Sequence, residues 1–300
     1  MAQPRHRKVL RENGVQIFHG LSGELPHGLK ASGIRGIVTI HDLIFMRHPE
    51  YYNWIDVQIY KRKFYQTLRE ADRIIAISER TKHDILHYGH FPEDRIDVIY
   101  QSCDTRFRQR SDDETKQEVR RRYSLPDRYI LNVGTVEERK NVLLAIKALR
   151  RLPSDLHLVV VGRQTNYQNT IQRALGDSLK GRVHFLQGVP NADLSGIYQQ
   201  AECFVYPSRY EGFGIPIIEA VQSGLPVVAA TGSCLEEAGG PDCLYVSPDS
   251  ADDMAAAIVQ AIGRRAEIVP KSLAYVARFE NRNVAKNVLE CYNRLLNEVK

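Results

Sequence analysis

Short runs of branched apolar residues alternate with longer stretches of helical periodicity along almost the whole chain. Such runs are typical of strands that are buried on both faces of a parallel sheet. In the first third of the chain they predict the strands VQIFHG, GIVTIHDL, RIIAIS and IDVIY. Between the second and third of these, Trp54, Val57, Phe64 and Leu68 keep a helical spacing. The first third therefore consists of strand–helix units.

From residue 129 onward the alternation becomes more regular. The strand YILNVG is followed by a helix whose Val142, Ala145, Ile146 and Leu149 share one face. Further strands are predicted at HLVVVG, VHFLQG, CFVYPS and PVVAA, with a helix at ADLSGIYQQA. This order predicts a parallel, doubly wound sheet, whose ligands bind outside the carboxyl ends of the strands.

The length of 300 residues exceeds what one hydrophobic core usually serves, so two α/β domains are predicted. We expect a first domain over residues 1–110 and a linker with a short helix over the polar residues 111–127. A second domain is expected over residues 128–278, and a closing helix over residues 279–300.

The composition, with 43% hydrophobic and 26% charged residues, is that of an ordinary soluble protein. No apolar run approaches 18 residues, and the basic N-terminus lacks the apolar core of a signal peptide. The five cysteines are scattered, without Cys-x-x-Cys spacing, which argues against zinc and disulfides and favours the reducing cytoplasm.

The net charge of +5 is mild and is concentrated in short clusters at Arg5–Arg11, Lys61–Lys63 and Arg120–Arg122. Such clusters are solvated faces, or they suit an anionic ligand or the surface of a membrane. Because no zinc-finger spacing or aromatic RNA-binding motif accompanies them, no nucleic-acid partner is expected.

The stretch SRYEGFGIPIIEA, residues 208–220, places two acids around a glycine loop. Pro216 stands where a helix begins, so the N–H groups of residues 212–215 point out of the helix start and form an anion site. Gly212 and Gly214 allow a ligand to approach the backbone. On these residues alone, Glu211 and Glu219 are compatible with hydrolytic acids, with sugar-binding groups beside a phosphate, or with ordinary helix capping.

Two cations follow the strand YILNVG at the junction with the next helix. Arg139 and Lys140 are aimed at the same crevice as the glycine loop, because both follow strands of one parallel sheet. Two such cations suit a diphosphate leaving group. Together with the glycine loop they indicate a nucleoside diphosphate sugar.

At this point the sequence resembles a known family. NVGTVEERKN and the stretch from VHFLQG to EEAGG resemble the retaining glycosyltransferases of family 4, also called glycosyl transferases group 1. The resemblance is specific from about residue 129 to 248. It is weaker in the first region, where it rests on IVTIHDLIF, ADRIIAISE and DVIYQSCD. It implies the GT-B fold, in which two Rossmann-like domains face a central crevice.

The resemblance also implies roles for individual residues. In the family the first acid of the pair contacts hydroxyls of the donor sugar and the second contacts the ribose, which assigns Glu211 and Glu219. The basic pair, Arg139 and Lys140, neutralises the diphosphate. His41, at the end of IVTIH, matches a first-domain histidine that faces the donor sugar.

The remaining donor-binding residues are also implied by the family pattern. The amides of Phe213, Gly214 and Ile215 hold the donor. Val189 contacts the base through its backbone, and Gly134 belongs to the same donor-binding set.

The implied reaction moves a hexose, with a lean towards mannose, to a hydroxyl of a glycan or lipid-linked acceptor with retention of configuration. No protein nucleophile is required, no cofactor is expected, and no metal, since the chain has no Asp-x-Asp motif. The expected location is the cytoplasm, with peripheral contact at the inner face of a membrane.

The chain begins at a point that resembles the middle of the family's first domain, so on the order of 60 residues, two βαβ-scale segments, are expected to be absent. An alternative function is therefore a nucleotide-sugar-binding module without transfer activity. A glycoside hydrolase also needs two acids, but it leaves Arg139 and Lys140 unexplained.

Overall fold

The computed structural model describes residues 4–176 and 179–297. Both sheets within this part of the chain are parallel throughout. The strands are β1 (Ile17–Gly20), β2 (Arg35–Ile40), β3 (Arg73–Ala76), β4 (Ile96–Val98), β5 (Tyr129–Val133), β6 (His157–Val161), β7 (Val183–Leu186), β8 (Cys203–Tyr206), β9 (Val227–Ala230) and β10 (Leu244–Val246).

The helices lie mainly between successive strands, as the alternating pattern predicts. They are α1 (Pro4–Glu12), α2 (Ile44–Arg47), α3 (Trp54–Glu70), α4 (Glu79–Gly89), α5 (Asp113–Tyr123), α6 (Val142–Leu149), α7 (Gln168–Leu175), α8 (Asn191–Gln200), α9 (Ile215–Gln222), α10 (Leu235–Gly239), α11 (Ala251–Gly263), α12 (Arg265–Val276) and α13 (Asn281–Asn297).

The contacts divide the chain into two units. The first unit comprises the residues up to Gln101 together with those from Asn281 onward, and the second unit comprises Ser102–Glu280. These bounds differ from the expected ones in two places. The region expected as a linker contributes α5 to the second unit, and the closing helix belongs to the first unit.

In the first unit, α13 covers one face of a four-stranded sheet of order β1-β2-β3-β4. Successive strand residues face opposite sides, so Ile37 and Ile75 pack with Cys291 and Leu295 of α13. The neighbouring residues Val38 and Ile74 face the other side, in a core with Phe64 of α3 and Ile85 of α4. The Arg35 Nη1 atom also donates to the carbonyl of Leu295 at 2.5 Å. The helix therefore shares the core of this sheet, which explains its grouping.

In the second unit the six strands have the order β10-β9-β8-β5-β6-β7. The direction of winding reverses between β5 and β8, which is the switch point where such sheets bind ligands. Helix α5 packs on α8, where Asp193 accepts from Arg122 Nη1 at 2.8 Å and from the Tyr123 hydroxyl at 2.6 Å. The predicted parallel, doubly wound architecture is confirmed in this unit.

Candidate functional site

The loops after β5 and β8 meet at the switch point of the second unit. After β5 the chain forms a single 3₁₀ turn, Glu138–Lys140, and then Asn141 adopts a left-handed conformation with φ 52° and ψ 32°. The Asn141 side-chain amide donates to the carbonyl of Pro207 at 3.1 Å and to that of Pro248 at 2.9 Å. Asn141 thus ties the loop that carries the basic pair to the loop that follows β8.

Four residues form what we call the cation–carboxylate cluster: Arg139, Lys140, Tyr206 and Glu211. Lys140 Nζ donates to Glu211 Oε1 at 2.6 Å and to the Tyr206 hydroxyl at 2.9 Å. Arg139 Nη1 lies 3.0 Å from Glu211 Oε2, and the Tyr206 hydroxyl donates to Glu211 Oε1 at 3.2 Å. Both oxygens of one carboxylate are therefore held by cations from the other loop.

Burial strengthens the electrostatic interactions between the charges of this cluster. Glu211 is only 8% exposed. Burial by itself raises the pKa of the Glu211 carboxyl, but the charges of Lys140 and Arg139 outweigh it and hold that pKa below its ordinary value. Burial and the neighbouring Glu211 raise the pKa of the Tyr206 hydroxyl, which stays protonated. The carboxylate is thus ionised and serves to hold two cations in fixed positions.

Two further contacts orient the Arg139 guanidinium. Its Nη2 atom lies 2.8 Å from Glu137 Oε1, and its Nη1 atom donates to the carbonyl of Tyr210 at 2.5 Å. Since the Arg139 side chain is mostly buried, these contacts fix the guanidinium in one orientation. The basic pair is preorganised.

The glycine loop leads into α9 as the sequence indicates. The helix begins at Ile215, with Pro216 in its first turn. Gly214 has a φ of 121°, and a Cβ there would come within 3.1 Å of Leu235 and 3.3 Å of Ala238. Phe213 is buried and packs edge-on against Phe279 at 5.3 Å. Phe213 and Gly214 therefore have only backbone groups to offer a ligand at the helix start.

Glu219 lies in the second turn of α9 and has a different environment from Glu211. Its Oε2 atom accepts from the hydroxyl of the buried Tyr198 at 2.9 Å. Burial raises the pKa of Glu219 above its ordinary value; the Tyr198 hydrogen bond opposes this rise, and the charge of Asp104 adds to it. The pKa values of Glu211 and Glu219 are thus shifted in opposite directions.

A pocket of about 360 Å³ lies at the carboxyl ends of β5, β6 and β7 and is lined by Gly134, Gly162, Gln187 and Val189 among others. Glycine is required at position 162, since a Cβ there would lie 2.0 Å from the carbonyl oxygen of Gly134. A Cβ on Gly134 would lie 3.7 Å from the Lys140 side chain. Gly134 therefore connects the pocket to the cluster.

His41 lies in the first unit, directly after β2. Its Nε2 atom donates to the carbonyl of Leu21 at 2.8 Å, and its Nδ1 atom accepts from the Gln101 amide at 3.3 Å. These partners place the ring proton on Nε2. His41 lines a pocket of about 360 Å³ within this unit together with Glu24 and Asp42.

The second unit thus brings together all predicted site residues except His41, which belongs to the first unit. Three contributors were not singled out from the sequence: Asn141, Tyr198 and Tyr206. Position offers a signal for two of them, because Asn141 directly follows the basic pair and Tyr206 ends the strand that precedes the glycine loop.

Comparison with known proteins gives matches over most of the chain. Residues 113–278 match the family model described as Glycosyl transferases group 1. Residues 1–107 match the one described as Glycosyltransferase Family 4.

Two relatives and one solved structure illustrate the likeness. The O-antigen chain mannosyltransferase B of Escherichia coli is 29% identical over 305 residues, which cover 98% of this chain and 79% of that protein. The serotype-specific mannosyltransferase WbdA of Escherichia coli is 27% identical over 94% of this chain but only 36% of its own length. The crystal structure of Anabaena HepE in complex with UDP superposes with a TM-score of 0.81 at 19% identity, covering 97% of this chain and 81% of that one.

The structural likeness confirms the expected GT-B fold. None of the helices within residues 4–176 and 179–297 has the length and apolar character needed to cross a membrane.

Proposed function

The chain belongs to the glycosyl transferases group 1, and from this premise we propose that it moves a hexose from a nucleoside diphosphate sugar to an acceptor hydroxyl with retention of configuration and without a metal ion. The observation that carries the proposal is the buried cation–carboxylate cluster beside the start of α9. A binding module without transfer activity is not favoured, since the matched relatives are named as transferases.

In the proposed complex the base occupies the pocket lined by Gly134 and Val189. The diphosphate then lies against Lys140, Arg139 and the backbone amides of residues 213–215, where the helix dipole also favours negative charge. Glu219 accepts from the ribose hydroxyls. Glu211 keeps the cations in place and accepts from hydroxyls of the transferred sugar.

The chemical step needs stabilisation of the leaving diphosphate as the glycosidic bond breaks. Lys140 and Arg139 supply it from positions that Glu211, Tyr206 and Glu137 already fix, so little reorganisation is needed during the reaction. The acceptor attacks the face that the diphosphate leaves, and a phosphate oxygen takes the acceptor proton. No side chain acts as a nucleophile, and the fixed cations supply the charge that a metal otherwise provides.

We propose mannose as the sugar and a glycan or lipid-linked saccharide as the acceptor. The support is that related proteins are named O-antigen chain and serotype-specific mannosyltransferases. Guanosine- and uridine-linked hexoses are both candidate donors. The proposed location is the cytoplasm, with peripheral contact at the inner face of a membrane.

A panel of nucleoside diphosphate sugars tests the donor. We expect one mannose-carrying donor to raise the melting temperature in buffer containing EDTA, because a ligand that binds the native state stabilises it. The same donor should yield product with an acceptor extract, and the one-bond C1–H1 coupling of that product, which distinguishes α- from β-mannosides, should show retention. A panel in which no donor raises the melting temperature, or transfer that requires added magnesium or manganese, contradicts the proposal.

A further inference from the structure

Helix α3 of the first unit, Trp54–Glu70, exposes an unusual share of apolar surface. Ten large hydrophobic residues are exposed among the described residues, and five of them lie on this helix. Trp54, Ile55 and Ile59 are 72%, 50% and 46% exposed. Scattered single apolar residues are normal on a protein surface, whereas a cluster on one element marks a binding surface.

Six residues of α3 lie on one side of the helix, whereas other exposed residues, such as Tyr60, lie elsewhere on it. Ile55, Ile59, Arg62 and Arg69 follow one another at spacings of three or four residues or their sum, which places them on one side of a helix. Trp54 and Lys61, which are seven residues apart, lie along the edge of this side. The opposite side is anchored, since Val57 and Phe64 are buried and Phe64 belongs to the core of the first unit. The outward face is therefore held rigidly by the fold. We call it the α3 face.

The basic residues of this face have no internal acid to neutralise them. Lys61, Arg62 and Arg69 make no ion pair within the part of the chain that the structure describes. Lys63 is paired with Glu24 at 2.8 Å. The exposed acid on the helix itself is Asp56, in its first turn. Three unpaired cations therefore stand beside the exposed apolar side chains.

We propose that the α3 face binds the surface of an anionic phospholipid bilayer, with Trp54, Ile55 and Ile59 in the interface and Lys61, Arg62 and Arg69 against the lipid phosphates. It deepens the peripheral membrane contact proposed above by assigning the surface that makes it, and it rests on that part of the proposed function. Vesicle binding needs neither donor nor acceptor, so its failure is distinguishable from a failure of the transferase assignment.

The combination of residues favours a bilayer over a second copy of the chain. A helix that lies in a membrane interface carries tryptophan and branched apolar residues on its buried side and lysine or arginine beside them. A two-fold dimer through the same face would bring the unpaired cations of both copies together. An anionic bilayer complements both components of the face at once.

The tryptophan provides a site-specific measurement, because Trp54 is the only tryptophan of the 300 residues. We expect its emission to shift to shorter wavelength when the full chain is mixed with vesicles of equal parts phosphatidylglycerol and phosphatidylcholine. Vesicles of phosphatidylcholine alone should give little shift. At roughly 1 M salt, where the Debye length falls to about 3 Å, binding to the anionic vesicles should weaken.

Two variants that keep Trp54 separate the two components. Ile55→Ser with Ile59→Ser should lower the partition coefficient at least about tenfold, because two interfacial apolar side chains are lost. Lys61→Gln with Arg62→Gln and Arg69→Gln should lower it roughly a hundredfold and remove the salt dependence. Val259→Ser with Leu289→Ser is the matched control, since these residues are 57% and 59% exposed on α11 and α13.

Folding of each variant is checked by circular dichroism and thermal unfolding of the full chain, which report on the first unit and need no ligand. The proposal is overturned if the anionic vesicles do not shift the Trp54 emission, or if the control loses as much binding as the α3 variants. It is also overturned if sedimentation shows a dimer in solution that the Ile55→Ser, Ile59→Ser variant dissociates, since the face then binds a second copy.

Discussion

The cation–carboxylate cluster of the second unit and the α3 face of the first unit handle charged groups in opposite ways. In the second unit six strands bury the cation–carboxylate cluster, and each of its charges has a partner on another loop of the same unit. In the first unit four strands carry a half-buried histidine held by Leu21 and Gln101, and a helix that turns apolar side chains and unpaired cations outward. The cluster has its charges paired internally, whereas the α3 face presents groups that need an external partner.

This difference indicates where each kind of function is built. Buried charges act in a low dielectric and keep their geometry without a ligand. Exposed groups gain most of their interaction energy only when a partner removes them from water. We therefore expect donor chemistry to depend on the second unit and the recognition of larger partners to depend on the first.

The largest expected effect comes from the basic pair. Lys140→Ala should lower transfer by roughly 10²-fold or more, as removal of one preorganised transition-state contact does. Arg139→Ala should do the same, and both effects should appear in steady-state rates at saturating donor. The matched control is Lys147→Ala, an exposed lysine on α6. Near-normal rates in both variants would remove the diphosphate role.

A smaller effect is expected from the first unit. His41→Ala should lower turnover about tenfold. The variant would lose one hydrogen bond to the transferred sugar, and a loss of ~1.4 kcal/mol corresponds to that factor. Binding of the free nucleoside diphosphate, measured by calorimetry, should stay unchanged, because the proposed nucleotide site lies within the second unit. The exposed His83 supplies the control variant, His83→Ala. A loss of nucleotide affinity in His41→Ala would contradict the assignment of nucleotide binding to the second unit.

The smallest effects concern stability against pH. For Glu211 the folded pKa is lowered from 4.5, so its ionised form adds stability that is fully present above pH 4.5 and is lost as the pH falls through the folded value. For Glu219 the folded pKa is raised from 4.5, so its contribution is fully present below pH 4.5 and is lost as the pH rises through the folded value.

Urea unfolding at several pH values measures both contributions. Glu211→Gln should cost on the order of 1–3 kcal/mol at pH 7, and less below pH 4.5. Glu219→Gln should become more favourable relative to the parent as the pH rises above 4.5. Glu24→Gln in the first unit, which removes an exposed pair with Lys63, should change little. If the free energies of unfolding of Glu211→Gln and Glu219→Gln, each relative to the parent, changed with pH in the same direction, the opposite pKa shifts of the two acids would be contradicted.

Local patterns predicted the elements that carry the site, and long-range contacts decided what the residues do there. Proline preference and the glycine loop located the start of α9 within one residue of Pro216. The reversal of strand order between β5 and β8 brings Glu211 onto Lys140, and no local pattern reports which strands become neighbours. The family resemblance assigned Glu211 to hydroxyls of the donor sugar, and the structure shows that its carboxylate holds both cations.

Long-range contacts also decide the bounds of the two units. The polar stretch that contains α5 has the composition of a linker, but Arg122 and Tyr123 meet Asp193 some 70 residues later in the chain. The last helix follows the second unit in sequence, but Cys291 and Leu295 complete the core beside Ile37 and Ile75. Amphipathic periodicity reveals that a helix has a buried face without revealing which sheet covers it.

The close approach of Gly162 to the carbonyl of Gly134 has a consequence for protein engineering. Because even a methyl group at position 162 would overlap that oxygen at 2.0 Å, a library that varies every residue around the pocket would lose folded members at this position. On the proposed function, changes of nucleotide preference are to be sought at exposed side chains that line the same pocket, such as Arg163 and Gln187. Position 162 therefore has to remain glycine, whereas the exposed positions 163 and 187 can be varied.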